Sequence, residues 1–193
     1  WTWEHLALTR ARVIAGDEVL AVAVEAARRS VLAAKAVGSL ILPDTADMRR
    51  RIFAAKAPDG AWEAKIGPGR LQDIELFAQS CALRAADPAR RVEAQLRAGV
   101  RTGSIGKDDE TAVLEAYRCL WRLQAGGRLL TDRPLDLETI GEGARAFLLR
   151  ETDCQDAASL AARLASLTDR TAAILARELD GGRRGVGAVL AEL

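Results

Sequence analysis

The sequence is short of several residue types, and each shortage removes a class of function. Histidine occurs once, at His5, and cysteine three times, at Cys81, Cys119 and Cys154, far apart and with no Cys-x-x-Cys pair. That inventory excludes a disulfide framework, a zinc cluster and a nucleophilic centre built on Cys/His or Ser/His/Asp. A reducing cytoplasm is the expected compartment. Aromatics make up 4% of the chain, and Trp1, Trp3, Trp62 and Trp121 lack the basic interleaving of a base-stacking surface. Charge of one sign is not in excess either: 28 Lys and Arg face 27 Asp and Glu, for a net charge of +1. A nucleic-acid partner is therefore not expected. No apolar run approaches the roughly 18 residues needed to cross a bilayer, so no membrane partner is expected. The opening Trp1-Thr2-Trp3 has no basic-then-apolar leader pattern, and the only Met is Met48, so we expect a piece of a longer protein.

What is abundant points to helices. Ala, Leu, Arg and Glu dominate and runs of β-branched residues are almost absent, which favours an all-α fold. A first helix is expected from Thr2 to about Gly16, with Trp3, Leu6, Val13 and Ile14 on one stripe. Asp17 starts a second, through Val24, Val31 and Leu32 to about Val37, stopped by Gly38. Pro43 and Asp44 open a third, carrying Met48, Ile52 and Phe53 and ending by Pro58. Residues 58–69 read as a structured glycine-rich loop, and a fourth helix from about Arg70 carries Leu71, Ile74, Ala78, Cys81 and Ala82. Gly99, Gly103 and Gly106 mark a connection; Asp108-Asp109-Glu110 opens a helix that Gly126-Gly127 ends. Further helices are expected from Pro134-Leu135-Asp136 and from Asp153, with the Gly181 to Gly187 segment before a tail. Together these predict an up-and-down helical bundle: one helical domain over 1–193, divisible at most into 1–100 and 101–180 with a tail at 181–193.

The candidate functional residues are misfits in this pattern. Arg10 falls on the apolar stripe of the first helix and Glu75 at the edge of that of the fourth, so the two are expected to form an internal pair. Arg12 and Asp73 point away from the apolar faces, either as solvated charges or as groups that meet a ligand or another domain. The run Lys65-Ile66-Gly67-Pro68-Gly69-Arg70 leads into a helix and is either a structural turn or a phosphate-facing loop with Lys65 as its cation. Asp108 and Asp109 read as helix-start acids rather than metal ligands. No complete active site is present.

Two stretches carry a family likeness. Thr2-Trp3-Glu4-His5-Leu6-Ala7-Leu8-Thr9-Arg10-Ala11-Arg12-Val13-Ile14-Ala15-Gly16-Asp17 and Lys65-Ile66-Gly67-Pro68-Gly69-Arg70-Leu71-Gln72-Asp73-Ile74-Glu75-Leu76-Phe77-Ala78-Gln79, followed by Leu114 to Leu123, resemble the bifunctional glutamine synthetase adenylyltransferase/adenylyl-removing enzymes. Arg70 stands where that family has the second glycine of a pair, and Leu76 where it has Phe. The Asp73-Ile74-Glu75 form is more similar to the adenylyl-transferring half than to the removing half, which is the alternative. The resemblance implies a helical domain of the nucleotidyltransferase substrate-binding type that accompanies an upstream nucleotidyltransferase domain. There, acidic residues absent from this chain hold Mg²⁺ and ATP while AMP passes to a tyrosine of glutamine synthetase. It implies that Arg10, Arg12, Lys65, Asp73 and Glu75 make nucleotide or interdomain contacts. Lys65 and Arg12 would reach phosphates, Asp73 would position a cation across the interface, and Glu75 would brace Arg10. Expected partners are the upstream domain, glutamine synthetase and the PII signal protein. A regulatory module that senses glutamine or docks PII is the alternative.

Overall fold

The computed structural model describes the backbone of residues 1–38 and 40–191, and side chains through Leu179 apart from position 39. Eight helices occur among the described residues: α1 (Thr2–Leu8), α2 (Glu18–Ala36), α3 (Ile41–Ala55), α4 (Leu71–Arg84), α5 (Val92–Arg101), α6 (Lys107–Leu130), α7 (Glu142–Glu151) and α8 (Ala157–Ala191). The chain is an all-α helical bundle, with no strand among the described residues. Segment 181–187 lies within α8, and Glu192 and Leu193 are outside the described residues. The helices form two compact units, one from Trp1–Arg50, Glu75–Glu110 and the stretch from Arg177, the other from Arg51–Ile74 and Thr111–Ala176.

In the first unit, α1 stops at Leu8 instead of continuing to Gly16. A longer helix would need the Leu8 and Thr9 carbonyls to accept from the amides of Arg12 and Val13. Instead both accept from Arg28, whose Nε donates to Leu8 O at 3.0 Å, where the Ala11 amide also closes a tight turn at 3.1 Å, and whose Nη2 donates to Thr9 O at 2.6 Å. The expected stripe dissolves as a result: Leu6 is buried, but Trp3, Val13 and Ile14 are 55%, 42% and 84% exposed. The start of α2 is as expected, the Asp17 carboxylate accepting from Leu20 N at 2.9 Å. Thr2 caps nothing by side chain; its hydroxyl donates to Asp44 at the start of α3. The core gathers Leu6, Leu32, Ile41, Phe77, Cys81 and Leu96, all at most 1% exposed.

Helix α5 is the one that the glycine pattern hid. Gly99 lies inside it, where a Cβ would meet Cys81 Sγ at 2.7 Å, so its role is close helix contact and not a break. The second unit repeats this lesson, because α6 runs past Gly126-Gly127 to Leu130 and a Cβ on Gly126 would lie 2.7 Å from Leu148 Cδ2. Asp136 and Asp153 do not begin helices. Asp136 closes a single turn, accepting from Glu138 N at 3.0 Å and the Thr139 hydroxyl at 3.0 Å, and α7 starts only after Gly141. Asp153 ends the previous helix at φ +53°, and Asp156 caps α8 through Ser159 N at 2.7 Å. Leu120, Leu137, Leu148, Leu160 and Leu175 fill this unit's core.

Candidate functional site

Arg10 and Glu75 meet, both within the first unit, with Nη1 to Oε2 at 3.0 Å. The pairing expected from sequence is present, but the pair is not internal: the side chains are 54% and 30% exposed. The early end of α1 explains this, since Arg10 falls beyond the helix and off the stripe that would have buried it. An ion pair so exposed contributes at most about 1 kcal/mol. Arg12 lies in the non-helical segment after α1, exposed and with no ion pair among the described residues.

The buried charge sequence reasoning missed is Arg28. Its side chain is 3% exposed, and besides the Leu8 and Thr9 carbonyls it donates from Nη2 to Pro88 O at 2.9 Å and from Nη1 to Glu25 Oε1 at 3.0 Å. Three main-chain carbonyls, two from the end of α1 and one from the segment before α5, thus converge on one guanidinium. Glu25 also takes Arg29 at 3.1 Å and Arg90 at 2.5 Å, while Arg90 Nε donates to Ala11 O at 2.8 Å. Burial pushes the Glu25 carboxyl up, but the Arg29 hydrogen bond and the charges of Arg28 and Arg90 outweigh it and hold the group below its ordinary value. The signal was the spacing of Ala21, Glu25, Arg28 and Leu32, a helical stripe whose two charges look like surface residues in sequence.

In the second unit the Lys65–Arg70 segment is a packed turn. Lys65 N and Ile66 N donate to Glu63 Oε1 at 2.6 and 3.1 Å, Arg70 N to Gly67 O at 3.2 Å, and Gly69 N to Asp73 Oδ2 at 2.7 Å. These four amides are engaged inside the protein and Pro68 has no amide hydrogen, so none of the five is offered to a phosphate. Asp73, expected to point outward, is 2% exposed; as the third residue of α4 it reaches back to fix the loop. The close backbone approach belongs to Gly69, at φ +69°, where a Cβ would stand 2.0 Å from Thr168 O of α8. Arg70, in place of a second glycine, lies beside Gly67, whose Cβ would be 3.1 Å from Arg70 Cδ. Burial draws the Arg70 pKa below its ordinary value against the charges of Glu63 and Asp169.

The side chain of Lys65 is exposed and lines a cleft of about 410 Å³ with Trp62, Glu63, Gln124, Arg128 and Arg133. Among the described residues no three His, Cys, Asp or Glu side chains converge to hold a metal. The described side chains thus offer no carboxylate cluster for Mg²⁺, while Lys65, Arg128 and Arg133 bring three cations to the lining of the cleft. The five candidates thus divide: Arg10 joins Glu75, Asp73 is structural in its contacts, and Arg12 and Lys65 project separately into solvent.

No family model matches the chain, and no solved structure matches it. It is 32% identical over 186 residues, 94% of its length, to the bifunctional glutamine synthetase adenylyltransferase/adenylyl-removing enzyme of Rhodopseudomonas palustris (strain ATCC BAA-98 / CGA009). The same-named enzymes of Rhodopseudomonas palustris (strain BisB5) and Rhizobium meliloti (strain 1021) are 34% and 36% identical over 94% and 87% of the chain. The chain spans only 18–19% of the length of these relatives. With a helical fold throughout and this likeness along most of its length, the chain belongs, as a segment of about one fifth, to the family of bifunctional glutamine synthetase adenylyltransferase/adenylyl-removing enzymes.

Proposed function

We propose that this chain is a helical accessory domain of an enzyme that transfers AMP from ATP to a tyrosine of glutamine synthetase, and that it acts beside a nucleotidyltransferase domain supplying the acidic residues for Mg²⁺ and ATP. The carrying observation is the identity of 32–36% along most of the chain to enzymes of that name, of which it makes up 19% or less. Arg12 and Lys65 are the residues offered to nucleotide phosphates on the neighbouring domain; both are exposed and neither has an ion pair among the described residues. Arg10, braced by Glu75, supports the segment that carries Arg12. Asp73 acts indirectly, by holding the turn that presents Lys65. The transferring half is preferred over the removing half on the Asp73-Ile74-Glu75 form. The setting is the cytoplasm, in keeping with three free cysteines; among the described residues no helix is long and apolar enough to cross a membrane.

The test is transfer of labelled AMP from Mg·ATP to glutamine synthetase by this chain alone, by the nucleotidyltransferase part alone, and by the two together. Activity only in the mixture, or a gain of at least tenfold there, supports the reading. Activity of this chain alone overturns it. A second reading, a regulatory module for glutamine or the PII signal protein, is favoured by the Lys65 cleft, a concave site of small-ligand size. It predicts saturable glutamine or PII binding by the isolated chain, which the accessory reading does not require.

A further inference from the structure

Within the second unit, Lys65, Arg128 and Arg133 line one cleft of about 410 Å³. Lys65 stands on the packed turn before α4, Arg128 in the last turn of α6, and Arg133 in the segment that follows, where its amide donates to the Thr131 hydroxyl at 3.1 Å and closes a local turn. The continuation of α6 past Gly126-Gly127 is what carries Arg128 to the cleft. All three side chains are exposed, and none has an ion pair among the described residues. The negative end of α6 accounts for a cation at Arg128, but Lys65 and Arg133 lie outside the helices. Like charges around one cleft repel, and an anion seated between them relieves that cost. The lining also holds carboxylates. Glu63 is engaged, its Oε1 accepting the Lys65 and Ile66 amides, whereas Asp59 and Asp132 pair with none of the three cations and remain as acceptors. Half-buried Trp62 adds an aromatic side chain to the wall.

We propose that this cleft takes a nucleoside polyphosphate, with Lys65, Arg128 and Arg133 on the phosphates, Trp62 against the base, and Asp59 and Asp132 accepting from ribose hydroxyls. This rests on the accessory-domain reading and seats on this chain the phosphates to which Lys65 is offered; Arg128 and Arg133 are added to the residues that serve them. The ligand class follows from the set of groups. A ligand with a single carboxylate answers one guanidinium fork and leaves two cations unmet, whereas a polyphosphate presents several charges in a row, each able to accept paired N–H bonds from arginine. Inorganic polyphosphate would be repelled by Asp59 and Asp132 and would gain nothing from Trp62. A nucleoside brings a planar base to stack and hydroxyls to donate, and the volume is that of a small-ligand pocket.

The test is isothermal titration of the 193-residue chain with Mg·ATP, inorganic tripolyphosphate, adenosine and glutamine in turn. The expected result is saturable one-to-one binding of Mg·ATP, weaker binding of tripolyphosphate and of adenosine, and a loss of about tenfold or more for both phosphate ligands in the double variant Arg128→Ala/Arg133→Ala. Both arginines are exposed, so the variant should keep the melting temperature of the parent, which separates lost affinity from lost folding. No saturable binding of Mg·ATP at millimolar concentration overturns the proposal, as does an affinity that the double variant leaves unchanged. Tripolyphosphate binding as tightly as Mg·ATP takes the nucleoside out of the site and overturns it as well. Glutamine that binds where Mg·ATP does not assigns the cleft to the regulatory reading, again against the proposal. The AMP-transfer assay separates this site from the reading it rests on. Transfer by the mixture without Mg·ATP binding to this chain leaves the accessory domain standing and overturns the site; binding without transfer supports the site and refutes only the transferase reading.

Discussion

Replacing Arg28 by alanine removes the donor to Leu8, Thr9 and Pro88 carbonyls and leaves Glu25 without its most buried partner. Hydrogen bonds from a charged donor contribute about 1.5–3 kcal/mol each, but four bonds sharing one guanidinium do not add. Breaking a buried ionic network by deleting one partner costs about 3–5 kcal/mol, and that is the expected loss. At about 2–4 °C per kcal/mol for a chain of this size, the melting temperature should fall about 6–20 °C. Arg28→Lys retains the charge but places one compact ammonium where a planar fork meets acceptors on several sides, so it should recover less than half of the loss. Urea unfolding gives the free energies, and hydrogen exchange at the Thr9 and Arg10 amides gives the location of the damage. A loss below about 1 kcal/mol for Arg28→Ala, or unchanged exchange at the end of α1, would refute the assignment of Arg28 as the cap that stops this helix.

Three further outcomes follow from the geometry. Gly69→Ala should cost about 2–5 kcal/mol, combining the left-handed backbone with a Cβ 2.0 Å from Thr168 O, and more than Gly126→Ala, whose obstacle is the tip of a leucine; urea midpoints rank them. Glu25 has a folded-state pKa below its unfolded value, so its stabilisation is present above about pH 4.3 and is lost as pH falls through the depressed value. Glu25→Gln should therefore be less stable than the parent at pH 7, with the difference shrinking as acid protonates the carboxyl; a constant difference would contradict the ion-pair account. Burial pushes the Cys81 thiol up to about 12 and raises Cys119 as well, so a chromogenic disulfide should titrate one thiol in the native chain, Cys154, and three after denaturation.

The helical class and most starts were legible because they rest on local chemistry. Asp17 as a cap and Pro43 in a first turn are decided within a few residues, and the structure keeps both. The failures share another cause. Gly99 and Gly126 look like stop signals, yet each is small because a neighbouring helix comes close, and a residue distant in sequence decides that. Thr9 to Gly16 has an acceptable helical pattern, and it is a side chain nearly twenty residues away that takes the carbonyls the helix would need. Local propensity cannot register a competitor for a hydrogen bond.

The same distinction governs the candidate site. Arg10 and Glu75 could be paired from periodicity because an unpaired charge on an apolar stripe demands a partner, and the pairing survived even though the stripe did not. Asp73 was misplaced for the converse reason: its periodic position faces away from the apolar stripe, but the turn formed by Gly67 and Gly69 folds back over it and turns an apparent surface acid into a buried one. That α2 buries charge and exposes valine is written only faintly, in the spacing of Ala21, Glu25, Arg28 and Leu32. Its apolar residues lie nearly all around the helix, so periodicity offers no single inward face; Arg28, through the three carbonyls it must satisfy, decides which side turns in. The outward face is thus a consequence of the inward network.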